Sequence, residues 1–323
     1  TTKPKPPAVD CAAVRDSTAA KNTTKAKTPP VKPGYRPDEL RIKVEVRRDL
    51  PTGSAVLRGG RAITMKGKEV IENADVVVRN NRIVAVGPRG SVPVPSGARI
   101  IDVSGKTLMP GMVDVHYHAQ WLIPEIHPGQ VWQYLTTLAY GVTTTRDPQT
   151  AVSDIVSYQD RVETGDLIGP RIFSTGPGVG LPNNEPMNSL EDAKRVLRRY
   201  SHPWATNPPK MYMPGNRQQR QWIIMAAKEL GIMPTTEGGL DYRLDITHAM
   251  DGYPGIEHAL PITPIYEDVV QLFKASQTTN APTLLVSYGG PFGEEYFYTT
   301  EDVMGDKKLA TFMPKGQIQR RAL

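Results

Sequence analysis

The sequence holds one cysteine, Cys11, in 323 residues. A single thiol cannot close an internal disulfide or build a thiolate metal cluster. Any metal bound by this chain must therefore rest on histidine, carboxylate or a modified lysine. Histidine is scarce as well, with six in all, so the spacing of these few carries information. No apolar run reaches the roughly 20 residues that a membrane helix needs, and no membrane span is expected. The chain opens on Thr1, with no charged-then-apolar leader behind it, and is read as processed or as part of a longer product.

Charge is not spread evenly. The formal net charge is +6, and residues 1–36 hold eight Lys/Arg against two acids, so the remainder is about neutral. Nucleic-acid binding would need a basic face on the folded part, which this distribution does not provide. Residues 1–40, rich in Lys, Pro and Thr and without apolar periodicity, read as a solvated basic linker.

From 41 to 109 the pattern is short β-runs, at Ser54–Leu57, Arg61–Thr64, Asp75–Val78, Arg82–Val86 and Arg99–Val103. Turn signals such as Asn80-Asn81 and Ser104-Gly105 separate them, which describes a small all-β unit. From 110 to 323, short strands alternate with helices. Strands are predicted at Met112–His116, Val142–Arg146, Arg171–Ser174, Pro209–Met213, Ile232–Thr236, Gly255–His258 and Thr283–Ser287. Helices are predicted at Gln130–Tyr140, Ala151–Thr164, Leu190–Tyr200, Arg217–Leu230 and Tyr266–Ser276. Ser189 and Asn216 precede two of these in capping-box patterns, and Gly231 follows the second at the C′ position. The resulting expectation is an α/β fold, a (β/α)8 TIM-like barrel with seven strands visible, preceded by a small β-sandwich segment.

His116-Tyr117-His118 closes the first of these strands. Alternation along a strand would point both histidines to one side, where one ion could take both imidazoles. On spacing alone, two surface or hydrogen-bonded histidines are the commoner case. In a barrel, chemistry gathers at the C-terminal strand ends. Lys210, Glu237 and His258 fall at such ends, which favours a shared site over three separate bland roles. Individually they remain open to those roles: a surface lysine, a turn-capping acid, a core histidine. Asp302 and Asp306 read as surface charges, while Ser287–Gly290 and Glu294–Tyr298 fit pocket lining and loop packing equally.

Pro110-Gly111-Met112-Val113-Asp114-Val115-His116-Tyr117-His118 resembles the first-strand signature of the amidohydrolase superfamily. Asn81–Gly87 and Ile101–Thr107 resemble that family's N-terminal β-sandwich segment, and Gly141–Asp147 its second barrel strand. The likeness covers about residues 50–320 and is nearest to the imidazolonepropionase/prolidase-like branch. It implies a metal-dependent hydrolase that cleaves a C–N bond in an amide, peptide or cyclic amide. The cofactor implied is zinc, with iron or manganese as variants, in one or two ions. His116, His118, Lys210, Glu237 and His258 would be metal ligands, with Lys210 carboxylated, and Lys210 and His258 would act in catalysis. Two departures stand out. Thr235-Thr236-Glu237 replaces the family's fifth-strand histidine, so that Glu237 would substitute for it, and the eighth-strand aspartate is not visible, so the barrel is read as incomplete. A fragment, or a structural component completed by another segment or chain, is the alternative reading. A homo-oligomer and an extracytoplasmic, periplasmic or secreted location are also expected from the resemblance.

Overall fold

The computed structural model describes residues 40, 42–119, 127–150, 154–180, 186–201, 209–212, 215–290 and 293–322. Cys11 and most of the basic tail lie outside them. The chain divides into two units, Thr1–Glu45 and Val46–Leu323. In the first, the described residues are exposed and lack regular structure.

The second unit begins with a five-stranded sheet. Its strands are β1 (Ser54–Ile63), β2 (Val70–Arg79), β3 (Arg82–Pro88), β4 (Arg99–Asp102) and β5 (Thr107–Leu108). The order is β3-β2-β1-β4, with β5 also pairing β1. Two of the predicted runs fuse into one strand across Gly59-Gly60, where the β1–β2 register slips and Gly59 takes φ +87°. A bulge of this kind needs a residue without Cβ. Asn80 and Asn81, both at positive φ, form the two-residue hairpin between β2 and β3. Ala62, Ala74 and Val76 bury one face of the sheet against Leu57, Ile71 and Leu108.

Strand and helix then alternate through β6 (Met112–Asp114), α1 (Trp132–Ala139), β7 (Val142–Asp147), α2 (Ile155–Glu163), β8 (Arg171–Ser174) and α3 (Leu190–Ser201). The alternation continues with β9 (Lys210–Met211), α4 (Arg217–Leu230), β10 (Thr235–Glu237), α5 (Tyr242–Asp251), β11 (Gly255–Glu257), α6 (Glu267–Ser276) and β12 (Thr279–Ala281). Shorter helices follow: α7 (Leu284–Tyr288), α8 (Tyr296–Thr300), α9 (Lys307–Phe312) and α10 (Lys315–Ala322). All seven of these strands pair in parallel, in two sheets of order β6-β7-β8 and β12-β11-β10-β9. A bridge between Val179 and Met211 links the segment after β8 to β9. This is an α/β fold of the predicted kind. Among the described residues, no helix is long and apolar enough to cross a membrane.

Several elements correct the sequence reading, and the short helices α8–α10 were not predicted. The seventh strand is Thr279–Ala281, while the predicted strand Thr283–Ser287 lies mostly in helix α7. Thr279-Asn280-Ala281 is polar and short, so it does not register as an apolar run. Pro282 lacks the N–H to continue the ladder and thereby stops the strand ahead of Leu284-Leu285-Val286. Helix α5 was not predicted. It is set by Asp241, whose carboxylate accepts from the Arg243 and Leu244 N–H groups, and by Gly252 in the left-handed conformation at its end.

The helices that cover the sheets follow their caps. Asn216 and Gln219 form a reciprocal capping box on α4, and Gly231 ends it at φ +67°. At α3, Ser189 accepts from the Asp192 N–H, while the Asp192 carboxylate accepts from the Asn188 N–H. Helices α3 and α4 bury Val196, Leu197, Tyr200, Ile223, Ala226 and Ala227 around Met211 of β9. Tyr134, Ile155, Tyr158 and Ile172 form a second core beside β8. These two cores fix the strand ends that carry the polar cluster.

Candidate metal centre

The cluster begins where β6 ends. Asp114 is the last residue of the strand, and its carboxylate accepts from the His116 N–H at 3.0 Å, turning the chain. His116 and His118 therefore sit on a turn rather than on the strand expected. Tyr117 donates its N–H to the Arg146 carbonyl and packs into the second core. The two histidine rings are 4.9 Å apart, and His116 is 5.0 Å from the ring of His258.

The opposite wall comes from β9, β10 and β11, where Glu237 and Glu257 end their strands but Lys210 opens β9 rather than closing it as expected. Lys210 pairs with Thr235, and Glu237 with Glu257. Two carboxylates on adjacent parallel strands stand about 4.8 Å apart at the backbone and would repel. The fully buried Lys210 answers them, with Nζ 2.5 Å from Glu237 Oε2 and 2.7 Å from Glu257 Oε2. The same Nζ is 3.1 Å from His116 Nε2. Glu237 Oε1 meets His258 Nε2 in a very short contact. Glu257 Oε1 accepts from Arg146 Nη1 at 3.1 Å and from Thr235 Oγ1 at 3.0 Å. Arg146 Nη2 in turn donates to Thr235 Oγ1.

Electrostatics follow from this packing. Burial pulls the Lys210 amine down, but the Glu257 and Glu237 charges outweigh it, and the group is held above its ordinary range. The carboxylated Lys210 implied by the resemblance needs a neutral amine, whereas here the amine is held charged, in part by Glu257, a carboxylate that the sequence reading did not include. Burial pushes Glu237 up, while the bond to His258 and the Lys210 charge bring it down to about 2. His116 is lowered to about 4 by burial and by Lys210, and His118 is lowered for the same reasons. Both imidazoles are neutral at neutral pH, the form in which histidine binds a metal. Nearby, burial raises Asp147 to about 7 and Asp245 to about 6.

His116, Glu237 and His258 each present a ligand atom within 4.8 Å of the other two. Two imidazoles and a carboxylate suit zinc, iron or manganese, and three protein ligands leave a position open, as in catalytic zinc sites. The buried Nδ1 of His258 has no hydrogen-bond partner among the described residues. The donor set thus fits a divalent cation, with Glu237 in the place where the family pattern has histidine.

No protein-family model matches the chain. It is 29% identical over 171 residues to the 5-methylthioadenosine/S-adenosylhomocysteine deaminase of Symbiobacterium thermophilum, covering 45% of this chain and 39% of that protein. It is 28% identical over 141 residues to the imidazolonepropionase of Geobacillus kaustophilus, covering 39% of this chain and 33% of that protein. The chain therefore spans less than half the length of these curated relatives. The fold superimposes on a Xaa-Pro dipeptidase solved with methionine in its active site, at a TM-score of 0.59 and 18% identity. That match covers 83% of this chain and 75% of the dipeptidase. These likenesses, to a deaminase, an imidazolonepropionase and a dipeptidase, support membership of the amidohydrolase superfamily.

The structure gathers all five residues singled out from the sequence. His116, Lys210, Glu237 and His258 are in mutual contact, and His118 lies alongside, its Nδ1 3.3 Å from the Gln149 carbonyl. Thr235 is a hydrogen-bond relay between Arg146 and Glu257. Glu237 is free of turn capping, because the Gly239 N–H goes to Asp245 instead. Glu257 and Arg146 were missed. Their signal was charge at the C-terminal end of an otherwise β-forming run, the placement that also marks Glu237 and His258. Ser287 and Tyr288 bond to the Ala259, Leu260 and Ile262 carbonyls, and Tyr296 and Phe297 are exposed, so these runs act in loop packing. Asp306 caps α9 through the Leu309 N–H, and Asp302 accepts from the Gly305 N–H.

Proposed function

We propose that this chain is a metal-dependent hydrolase of a C–N bond in a small amide, peptide or cyclic amide. We further propose that its parallel strands belong to one (β/α)8 barrel with the cluster at its C-terminal rim. The observation that carries the reading is the convergence of His116, Glu237 and His258 on one point beside the buried Lys210. A divalent cation held by these three side chains would supply an acidified water and a polarised scissile carbonyl.

The chain's own groups supply the rest. His116 and His118 are held neutral by burial, so their nitrogens are available without loss of a proton. Glu237 is ionised and accepts from His258 Nε2, a bond that a cation would displace. Lys210 carboxylation, implied by the resemblance, requires the neutral amine. It would therefore have to follow withdrawal of Glu237 or Glu257 from Nζ, and cation binding by Glu237 supports such a withdrawal. Arg146 remains on Glu257 and keeps that carboxylate charged after Lys210 leaves it.

The test is release of amine or ammonia from a panel of dipeptides, N-acyl amino acids and cyclic amides by the purified chain loaded with zinc or manganese. Turnover that chelation abolishes and metal restores is expected, with His116→Ala and His258→Ala both inactive. Failure to retain near-stoichiometric metal after dialysis would overturn the reading.

A further inference from the structure

Asp147 ends β7 and is 1% exposed, and two loops of the site depend on it. Its Oδ2 accepts from the Ala119 N–H at 2.8 Å, immediately after His118. Its Oδ1 accepts from the Gln149 N–H, also at 2.8 Å. One carboxylate therefore clamps the main chain that carries His118 to the main chain that carries Gln149.

The acceptor of His118 is the Gln149 carbonyl. A carbonyl oxygen has no proton to give, so Nδ1 must be the donor, and a neutral ring then keeps Nε2 free of its proton. The peptide plane bearing that carbonyl is fixed from its other end, since the Thr150 N–H donates to the Gly176 carbonyl at 3.1 Å. The Pro148 carbonyl is likewise held by the Thr175 hydroxyl at 2.5 Å, and the Thr175 N–H donates to the Asp147 carbonyl at 2.9 Å. The loop after β7 is thus pinned at each successive peptide, and the carboxylate of Asp147 joins its backbone to the backbone of the histidine turn.

We infer that Asp147 is a positioning residue that fixes His118 as the Nδ1–H tautomer, leaving Nε2 as the bare nitrogen available to the metal centre. The inference deepens the proposed hydrolase reading but is tested without metal or substrate. The two donors lie on different oxygens, so a carboxylate satisfies both, whereas an amide cannot. Asp147→Asn turns an NH2 toward one backbone N–H, and one side of the clamp must open.

The experiment is long-range nitrogen–proton NMR at pH 7.5 on the full chain labelled with 15N-histidine, the His118 signals being assigned by their loss in His118→Gln. In the unsubstituted protein, His118 is expected to show a protonated Nδ1 and a bare Nε2. Asp147→Asn should shift it to a mixture of tautomers while circular dichroism stays unchanged, and should weaken zinc binding by roughly tenfold or more, as loss of an orienting partner does. Asp147→Glu, which keeps two acceptor oxygens, should recover part of the tautomer preference. An Nε2–H tautomer in the unsubstituted protein overturns the inference, even if Asp147→Asn does not fold. A folded Asp147→Asn with an unchanged tautomer overturns it as well. Absence of zinc binding in the unsubstituted protein would instead defeat the hydrolase reading and leave the tautomer result standing.

Discussion

At the residue scale, the cluster is a chain of buried charge running Arg146–Glu257–Lys210–Glu237–His258. Glu257 holds the middle, and the Lys210 and Arg146 charges keep it ionised despite burial. Removing one partner of a buried pair leaves an uncompensated charge, which costs about 3 kcal/mol or more. Glu257→Gln is therefore expected to destabilise the chain by about that amount, read as a lower urea midpoint at unchanged slope. His248 is a second sensitive residue. It is fully buried against Tyr253, at 5.3 Å between rings, and neither ring nitrogen has a hydrogen-bond partner among the described residues. Burial, with Arg220 opposing and Asp251 favouring the proton, lowers it to about 4. The unfolded chain takes up this proton near pH 6.5 and the folded chain does not, so stability falls as pH drops from about 6.5 toward 4. Between pH 7 and 5 the group should cost about 2 kcal/mol. His248→Leu should lose less stability over that interval than the unsubstituted protein, as followed by urea unfolding at both pH values. An equal loss in the two proteins would rule out this assignment.

At the element scale, local rules found helices α1–α4 and α6 and most strands, and missed α5, the short helices α7–α10 and strand β12. The capping box of Asn216 and Gln219 and the left-handed Gly231 were legible because both are one-turn interactions between near neighbours. Asn216→Ala and Gly231→Ala should each lower stability by about 1 kcal/mol, measurable as a drop in midpoint temperature, since one removes a side-chain acceptor and the other forces a Cβ into positive φ. Strand β12 was not legible. Its three residues are polar, and it is a strand because its backbone pairs with β11 while the Asn280 amide donates to the Ile256 and His258 carbonyls. The adjacent Leu-Leu-Val run has the composition of a strand but follows Pro282 and forms α7, where Leu284 and Leu285 are exposed. Apolar composition is a guide to strands only where burial follows it.

At the scale of the whole molecule, the site is a joint between two parallel sheets. His116, His118 and Arg146 come from the β6-β7-β8 side, and Lys210, Glu237, Glu257 and His258 from the β9–β12 side. A cation bound across this joint stabilises the folded chain by mass action, by about 2.7 kcal/mol at a hundredfold excess over its dissociation constant. Zinc should accordingly raise the unfolding temperature by several degrees and a chelator should reverse it. The increment should vanish in His116→Ala combined with His258→Ala.

What the sequence determined by itself was periodic or local: the alternation of strand and helix, the hairpin at Asn80-Asn81, the caps, and the motif around His116 and His118. Such features depend on residues within a few positions of one another, so spacing records them. Only the tertiary structure decided the charge state of Lys210, because Glu237 and Glu257 reach it from 27 and 47 positions further along the chain. It also decided that Thr235 bridges Arg146 and Glu257, and that Asp147 ties the His118 turn to its carbonyl acceptor. Those outcomes come from strand register and burial in a low-dielectric joint, where the balance of desolvation and pairing is set by neighbours that no local pattern contains.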